Sequence, residues 1–242
     1  MGTFTNIMPS IFGETPIAMI GNPVLTMPGI FIGGCNLRCP YCINRSIIVG
    51  NGRTSLDSLA IINGHMAAGE KWIFVSGGEP LSNVNTLNLL NEIRLRGMKV
   101  ALATNGTYPD MLRKVADEGL ADYVVMDVKT SPSDLGRYMN VCGTTDETAL
   151  TKVLKSMSVM KTGFPGCEFR TTCCSRFVDF EVVKEIAGVI GVDHPYVLQY
   201  YTVHQTLLDE LADESYVVDY DTLRGWADEI RPLVKWISVR EV

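Results

Sequence analysis

Three cysteines lie close together in the sequence Gly-Gly-Cys-Asn-Leu-Arg-Cys-Pro-Tyr-Cys at 33–42. Cys35, Cys39 and Cys42 have the spacing Cys-x3-Cys-x2-Cys, and thiolates this close can converge on one metal centre. A cubane iron–sulfur cluster has four irons, so three thiolates leave one iron open to another ligand. A closed zinc site needs four protein ligands and would require a distant fourth one, such as Cys173 or Cys174. The spacing therefore favours an iron–sulfur cluster over structural zinc.

A second motif, Gly77-Gly78-Glu79-Pro80, follows a short apolar run that is typical of a buried strand. Together with the cysteine spacing and with Tyr41 directly before the third cysteine, it resembles the radical S-adenosylmethionine (SAM) superfamily. The resemblance implies that the three cysteines hold a 4Fe–4S cluster, whose open iron is chelated by the amino and carboxylate groups of SAM. In that family SAM is cleaved reductively to methionine and a 5′-deoxyadenosyl radical, which abstracts a hydrogen atom. Tyr41 is then expected to lie beside the cofactors.

Length and composition set the class of protein. With 242 residues, 46% of them hydrophobic, the chain can form one α/β domain with a sizeable core. The net charge of −6 and the scattered basic residues argue against a nucleic-acid partner. No apolar run approaches the ~20 residues that span a bilayer, and the first 29 residues show no secretory-signal pattern. Seven cysteines, an odd number with three bunched, favour metal ligation in a reducing compartment. We therefore expect a cytoplasmic protein without membrane or nucleic-acid partners.

Short β-branched runs alternate with helical patterns along the chain. Six strands are predicted, at 29–33, 71–76, 99–103, 123–128, 167–172 and 196–201, with a further candidate at 234–239. Helices are predicted at 56–68 with Ser55 as N-cap, 84–96, 109–118, 146–161, 180–190 and 221–230. This alternation predicts a parallel sheet with right-handed crossovers. Six units predict an open (β/α)6 partial TIM barrel, which is the radical SAM core fold that the resemblance implies.

We expect residues 1–242 to form a single radical SAM domain. It would comprise an N-terminal segment (1–28), the partial barrel core (29–201) and a C-terminal extension (202–242). The apolar stretch Ile11–Asn22 could pair with the edge of the barrel or contact a partner, and the sequence leaves both alternatives open.

The motifs fall at the carboxyl ends of predicted strands, where barrels hold their chemistry. The resemblance implies that the 77–80 loop binds the amino end of SAM, with Glu79 accepting from the amine. It also implies that Thr104 and Asn105 contact the ribose or amino-acid part of SAM. From the residues alone, both segments are also compatible with ordinary turns.

Later strands add charged and polar candidates. Asp127 and Lys129 share a strand face and resemble the Asp-x-Lys pair with which glycyl-radical-enzyme activases help to fix SAM; the alternative is a strand-end ion pair. Arg170 suits the SAM carboxylate, with a salt bridge to Glu168 as the alternative. Gln199 is a candidate contact to the adenosyl portion. Four further cysteines are expected to be buried free thiols rather than ligands of a second cluster, and they are Cys142, Cys167, Cys173 and Cys174.

Within the superfamily, the chain resembles the anaerobic ribonucleotide reductase activating-protein group. The likeness includes Met-Pro-Gly at 27–29, Val-Met-Asp-Val-Lys at 125–129, Glu-Phe-Arg-Thr-Thr at 168–172 and Val-Leu-Gln-Tyr at 197–200. Such proteins abstract hydrogen from a glycine Cα of a partner. The resemblance thus implies a glycyl radical enzyme as protein substrate, and an electron donor such as flavodoxin or ferredoxin is expected. We expect a monomer.

Two other functions stay open. The same core serves small-molecule enzymes such as 7-carboxy-7-deazaguanine synthase, and a non-catalytic cluster-bearing module is a third alternative. An activase is expected to have an open mouth lined by Asp127, Lys129, Gln199 and Tyr201. A small-molecule enzyme is expected to have a pocket closed by residues 130–145 or 202–220.

Overall fold

The computed structural model of the protein describes residues 8–9, 11–49, 57–203 and 214–241. Eight strands form one sheet and lie in the order in which they follow along the chain. They are β1 (Ile11–Ile20), β2 (Leu25–Ile32), β3 (Trp72–Gly77), β4 (Lys99–Thr104), β5 (Tyr123–Asp127), β6 (Gly166–Cys173), β7 (Tyr196–Tyr200) and β8 (Ile237–Arg240). β1 is antiparallel to β2, and all other neighbours are parallel. The sheet runs linearly from β1 to β8 without closing, so the fold is the partial barrel that the sequence predicts.

Helices connect the parallel strands. They are α1 (Arg45–Val49), α2 (Ser58–Ala67), α3 (Thr86–Leu95), α4 (Pro109–Asp117), α5 (Leu135–Cys142), α6 (Ala149–Gly163), α7 (Phe180–Ile190) and α8 (Tyr220–Ile230). Short 3-10 turns occur at Pro80–Ser82, Glu214–Tyr216 and Arg231–Leu233. In the described part of the chain, no helix has the length and apolar character needed to cross a membrane.

Most predicted elements are confirmed. The six predicted strands correspond to β2 through β7, and the candidate strand at the end of the chain is β8, parallel to β7. The predicted helices appear as α2, α3, α4, α6, α7 and α8, with ends shifted by up to three residues. The proposed N-cap Ser55 lies outside the described residues; α2 is capped instead by Asp57, whose carboxylate accepts from Leu59 N at 2.9 Å. The short helix α5 was not predicted, although Asp134 caps it and Gly143 ends it.

The N-terminal stretch takes the first of its two predicted alternatives and pairs with the edge of the barrel. β1 lies antiparallel to β2 in register from Ile11 opposite Ile32 to Ile20 opposite Leu25. This stretch contains Pro16, which lacks a backbone donor and is tolerated in an edge strand. An internal proline argues against a strand in the sequence, which explains why β1 was not predicted.

The sheet divides the apolar residues into two groups because side chains alternate along each strand. Val124 and Met126 of β5 belong to the main core between sheet and helices. Val125, between them, belongs to a smaller cluster on the concave face of the sheet. Asp127 continues that concave face at the carboxyl end of β5. Asp127 therefore projects into the hollow of the barrel.

Candidate active site

A cavity of about 450 Å³ lies at the carboxyl ends of the strands. Thirteen of the fourteen predicted site residues line it, all except Glu79. They are Cys35, Cys39, Tyr41, Cys42, Gly77, Gly78, Pro80, Thr104, Asn105, Asp127, Lys129, Arg170 and Gln199. The parallel register explains this convergence, because strand ends that are distant in sequence become neighbours. Asp127 at the end of β5, for example, lies beside Arg170 of β6 in the sheet.

The three cysteines follow β2 in a loop that packs against the body of the protein. Gly34 N donates to Ile47 O at 3.1 Å, and Cys42 N donates to Cys39 O at 3.0 Å. Burial raises the pKa of the Cys35 thiol to about 11 and also raises the pKa of Cys42. For Cys39 the pKa is raised by a hydrogen bond with the Cys142 thiol and by burial.

These thiols fit an iron–sulfur cluster. Without a metal their raised pKa values keep them protonated, and a bound metal deprotonates its thiol ligands. Among the described residues, no three His, Cys, Asp or Glu side chains are gathered around a position for a single metal ion. All three thiols line the same cavity, as common ligation of one cluster requires.

The two glycines of the 77–80 loop are required by contact with the cysteine loop. A Cβ on Gly78 would lie 1.9 Å from Gly34 O, and one on Gly77, with φ of +128°, would lie 2.1 Å from Ile32 O. Glu79 N donates to Gly34 O at 2.8 Å. The absence of side chains at 77 and 78 therefore permits two loops of the protein to touch.

Glu79 lies behind the cavity wall and is fully buried. Its Oε1 accepts from Leu81 N at 2.9 Å and from the Thr104 hydroxyl at 3.0 Å, and its Oε2 accepts from Asn105 N at 2.6 Å. Burial raises the pKa of Glu79 to about 7 despite these three donors. The carboxylate joins the loop after β3 to the loop after β4, and its contact to SAM stays a prediction.

Asp127 and Lys129 form the ion pair that the sequence allows as an alternative. Lys129 Nζ lies 2.6 Å from Asp127 Oδ2, and both residues line the cavity. Burial alone would lower the pKa of Lys129, but the neighbouring acidic groups, with Asp127 foremost, together outweigh it and hold that pKa well above its usual range. Lys129 is thus charged at neutral pH, and the role of the pair in fixing SAM stays a prediction.

Arg170 also forms its alternative salt bridge. Its guanidinium pairs with Glu168, with Nε 2.7 Å from Oε1, and donates to Met19 O at 2.5 Å. Arg170 nevertheless lines the cavity, so its side chain joins the cavity to the residues beneath it. Its contact to the SAM carboxylate stays a prediction.

Sequence reasoning missed several residues of the cavity. Asn44 lines it and donates from Nδ2 to Gly77 O at 3.2 Å, which ties the cysteine loop to the glycine loop. Thr15 and Ala18 of β1 also line it. Asn44 follows the cysteine motif closely and could have been suspected; the β1 residues could not, since their strand was not predicted.

The mouth of the cavity is described in part. Residues 130–145 do not line the cavity. In that segment α5 packs beside the cysteine loop, where Arg38 N donates to Cys142 O at 2.8 Å. The other candidate lid, 202–220, is described only at 202–203 and 214–220, and Thr202 lines the cavity. An open mouth therefore stays a prediction.

The four remaining cysteines are free thiols. Cys142, Cys173 and Cys174 are buried, and Cys167 is partly buried. Burial raises the pKa of Cys167 to about 11, so this thiol is not activated.

Comparisons with known proteins agree with this geometry. A family model described as the radical SAM superfamily matches residues 30–165. A Methanocaldococcus jannaschii protein named as a glycyl-radical enzyme activating enzyme is 28% identical over 192 residues, which are 79% of each chain. The 7-carboxy-7-deazaguanine synthase of Aquifex aeolicus is 32% identical over 116 residues, or 46% of this chain and 49% of that one.

A solved structure shows the same fold. The crystal structure of Streptococcus suis SuiB superposes with a TM-score of 0.63 at 14% sequence identity. The match covers 86% of this chain and 47% of SuiB, so this chain spans about half of that protein. At this identity the likeness concerns the architecture alone.

Proposed function

Because the chain belongs to the radical SAM superfamily, we propose that Cys35, Cys39 and Cys42 hold a 4Fe–4S cluster in the cavity wall and that SAM binds beside it. When bound, the cluster supplies the electron that cleaves SAM to methionine and a 5′-deoxyadenosyl radical. The observation that carries this proposal is the convergence of thirteen predicted residues on one cavity at the carboxyl ends of the strands.

The residues of the chain would bind and orient SAM. Lys129 and Arg170 present cationic groups to the cavity and suit the carboxylate of SAM, while Asp127 suits its amine or hydroxyl groups. Tyr41 and Phe74 supply an apolar wall that excludes water from a reactive intermediate.

The substrate we propose is a glycine residue of a partner protein. The hydrogen atom leaves the glycine Cα and joins the 5′-carbon of the deoxyadenosyl radical, so 5′-deoxyadenosine and a glycyl radical are formed. Support comes from the relative named as an activating enzyme, which matches along most of both chains. It also comes from residues 130–145, none of which lines the cavity, as expected if this segment does not close it over a small substrate.

The first experiment tests cofactor chemistry. The anaerobically reconstituted protein, reduced with dithionite, should convert SAM to methionine and 5′-deoxyadenosine, as followed by chromatography. Lys129→Ala should lower SAM affinity about 10- to 100-fold with iron content unchanged, because a buried charged contact is worth about 1.5–3 kcal/mol. Lys152→Ala is the matched control, since that lysine is paired with Asp146 away from the cavity. Absence of SAM cleavage by the cluster-loaded protein would overturn the proposal.

The second experiment tests the substrate. Purified anaerobic ribonucleotide reductase, labelled with Cα-deuterated glycine, is added to the reaction. A glycyl radical in the electron paramagnetic resonance (EPR) spectrum and deuterium in 5′-deoxyadenosine are expected. Neither signal should appear with the Cys35/Cys39/Cys42→Ala variant.

A small-molecule radical SAM reaction is the second candidate. It is favoured by the cavity volume, which lies in the range of small-ligand pockets, and by the similarity to 7-carboxy-7-deazaguanine synthase. Formation of 7-carboxy-7-deazaguanine from its ring-contraction precursor, without a glycyl radical on the partner, would select this candidate.

A further inference from the structure

The side-chain amide of Asn105 has an orientation that its neighbours determine. Its Oδ1 lies 3.0 Å from Thr107 N and 2.6 Å from Thr107 Oγ1. A backbone N–H can only donate, so the atom facing it must be the amide oxygen. The NH₂ group of Asn105 consequently points the other way.

On that other side lie Asn36 and Cys35. Asn105 Nδ2 is 3.1 Å from Asn36 Oδ1 and 3.9 Å from Cys35 Sγ. Asn36 Nδ2 in turn donates to Thr107 Oγ1 at 2.9 Å, which closes a ring of three side chains. This ring holds the Asn105 amide against the cysteine loop.

The backbone of Asn105 is held as well. Its N–H donates to the buried carboxylate of Glu79 at 2.6 Å, and the residue is only 6% exposed. The NH₂ group therefore has little freedom to turn away from Cys35.

Cys35 differs from the other two cysteines of the motif. Its sulfur also accepts from Leu37 N at 3.4 Å, so it faces N–H donors from two separate loops. Cys39 instead forms a hydrogen bond with the thiol of Cys142, and the Cys42 thiol forms one with the backbone of Asn44. Within the described chain, Cys35 is the member of the trio that faces a side-chain N–H.

We propose that Asn105 is a positioning residue that donates an N–H···S hydrogen bond to Cys35 and thereby raises the reduction potential of the cluster. Hydrogen bonds to ligand sulfur withdraw electron density from it and favour the more negatively charged, reduced cluster. The inference rests on the proposed function, since it requires the cluster. It gives the Asn105 side chain a role separate from its predicted contact to SAM.

The test compares cluster potentials without SAM. Wild-type protein and the Asn105→Ala, Asn105→Asp and Asn36→Asp variants are reconstituted, analysed for iron and sulfide, and titrated with EPR detection. Asn105→Ala should make the midpoint potential more negative at equal cluster content. Asn105→Asp should shift it further, because it also adds a charge. Asn36→Asp adds that charge nearby while retaining the donor, and should shift the potential less than Asn105→Asp.

An unchanged potential in cluster-loaded Asn105→Ala would overturn the inference, as would equal shifts in Asn105→Asp and Asn36→Asp. If the Asn105 variants do not load, wild-type protein labelled with ¹⁵N at asparagine side chains decides. A weak ¹⁵N coupling to the reduced cluster is expected by pulsed EPR, and its absence refutes the hydrogen bond. If the wild-type protein binds no cluster, the proposed function is overturned as well. If it binds a cluster but the Asn105 results are negative, only the Asn105 inference fails.

Discussion

The two ends of the barrel bury charged groups in different ways. At the carboxyl ends of the strands, charged and polar side chains surround the cavity. Deeper in the barrel, Glu168 is completely buried and accepts from Arg170, Arg240, Tyr123 and the backbone of the β1–β2 hairpin. We call Glu168, Arg170, Arg240 and Tyr123 the floor cluster. Its members find their partners within the chain, whereas Asp127 and Lys129 are paired with each other and also line a space that a ligand can enter.

The difference follows from the hairpin that β1 makes with β2. Gly21 N donates to Glu168 Oε2 at 2.9 Å, and Arg240 donates to Gly21 O at 2.6 Å. The hairpin thus supplies a backbone donor to Glu168 and a backbone acceptor to Arg240. Arg170 belongs to both regions, because it pairs with Glu168 and also lines the cavity. A buried ion pair is therefore evidence of function only where it also lines a cavity.

The largest effect is expected when the proposed cluster ligands are removed from the cavity. Replacement of Cys35, Cys39 and Cys42 by Ala should abolish cluster binding, because the ligands are removed. Iron and sulfide per chain, measured after reconstitution, check this. The control is Cys167→Ala, deeper in the barrel, which should bind as much iron and sulfide as the wild type. Near wild-type iron in the triple variant would point to the other four cysteines.

A strong effect on folding is expected in the floor cluster. Glu168→Gln should lower the free energy of unfolding by about 3–5 kcal/mol, because two arginines lose a buried counter-charge. Urea unfolding of the cluster-free protein measures this. The control is Asp228→Asn, which removes the exposed partner of Arg231 and should cost less than about 1 kcal/mol. Equal effects of the two substitutions would show that the floor cluster contributes no more than a surface pair.

The pH dependence of the free energy of unfolding should reveal the titration of the Glu79 carboxyl group. Its folded pKa of about 7 lies above its ordinary value of 4.5. The contribution of the group to stability is therefore fully present below pH 4.5 and is lost as the pH rises through 7. The wild type should lose about 3 kcal/mol between these limits through this group. Relative to Glu79→Gln, the cluster-free wild type should lose this amount of unfolding free energy between pH 4.5 and 8; parallel curves would contradict the shifted pKa.

A smaller effect should follow from Tyr123→Phe. Its hydroxyl donates to Glu168 Oε2 at 3.0 Å, and a hydrogen bond to a charged group is worth about 1.5–3 kcal/mol. Loss of about 1.5 kcal/mol in urea unfolding is expected, since other donors remain on Glu168. Tyr220→Phe, which removes a long exposed hydrogen bond to Val239 O, should be close to neutral. If the two variants were equally stable, the Tyr123 hydroxyl would contribute nothing measurable to the floor cluster.

Much of the site was visible in the sequence because its signals are local. The cysteine spacing lies in one loop, and strand ends can be recognised from apolar runs followed by polar residues. A parallel sheet brings such ends to one edge whatever the connections contain. Thirteen of the predicted residues therefore reach the cavity.

The sequence by itself determined the alternating strands and helices, the cysteine motif and the polar residues at the strand ends, since these depend on short-range periodicity and spacing. Only the tertiary structure decided which groups satisfy one another. It placed Glu79 behind the cavity wall and packed Gly77 and Gly78 against the cysteine loop. It also brought Glu168 into contact with Arg240, 72 residues away. Such pairings depend on side-chain direction and on contacts distant in sequence, which spacing along the chain does not encode.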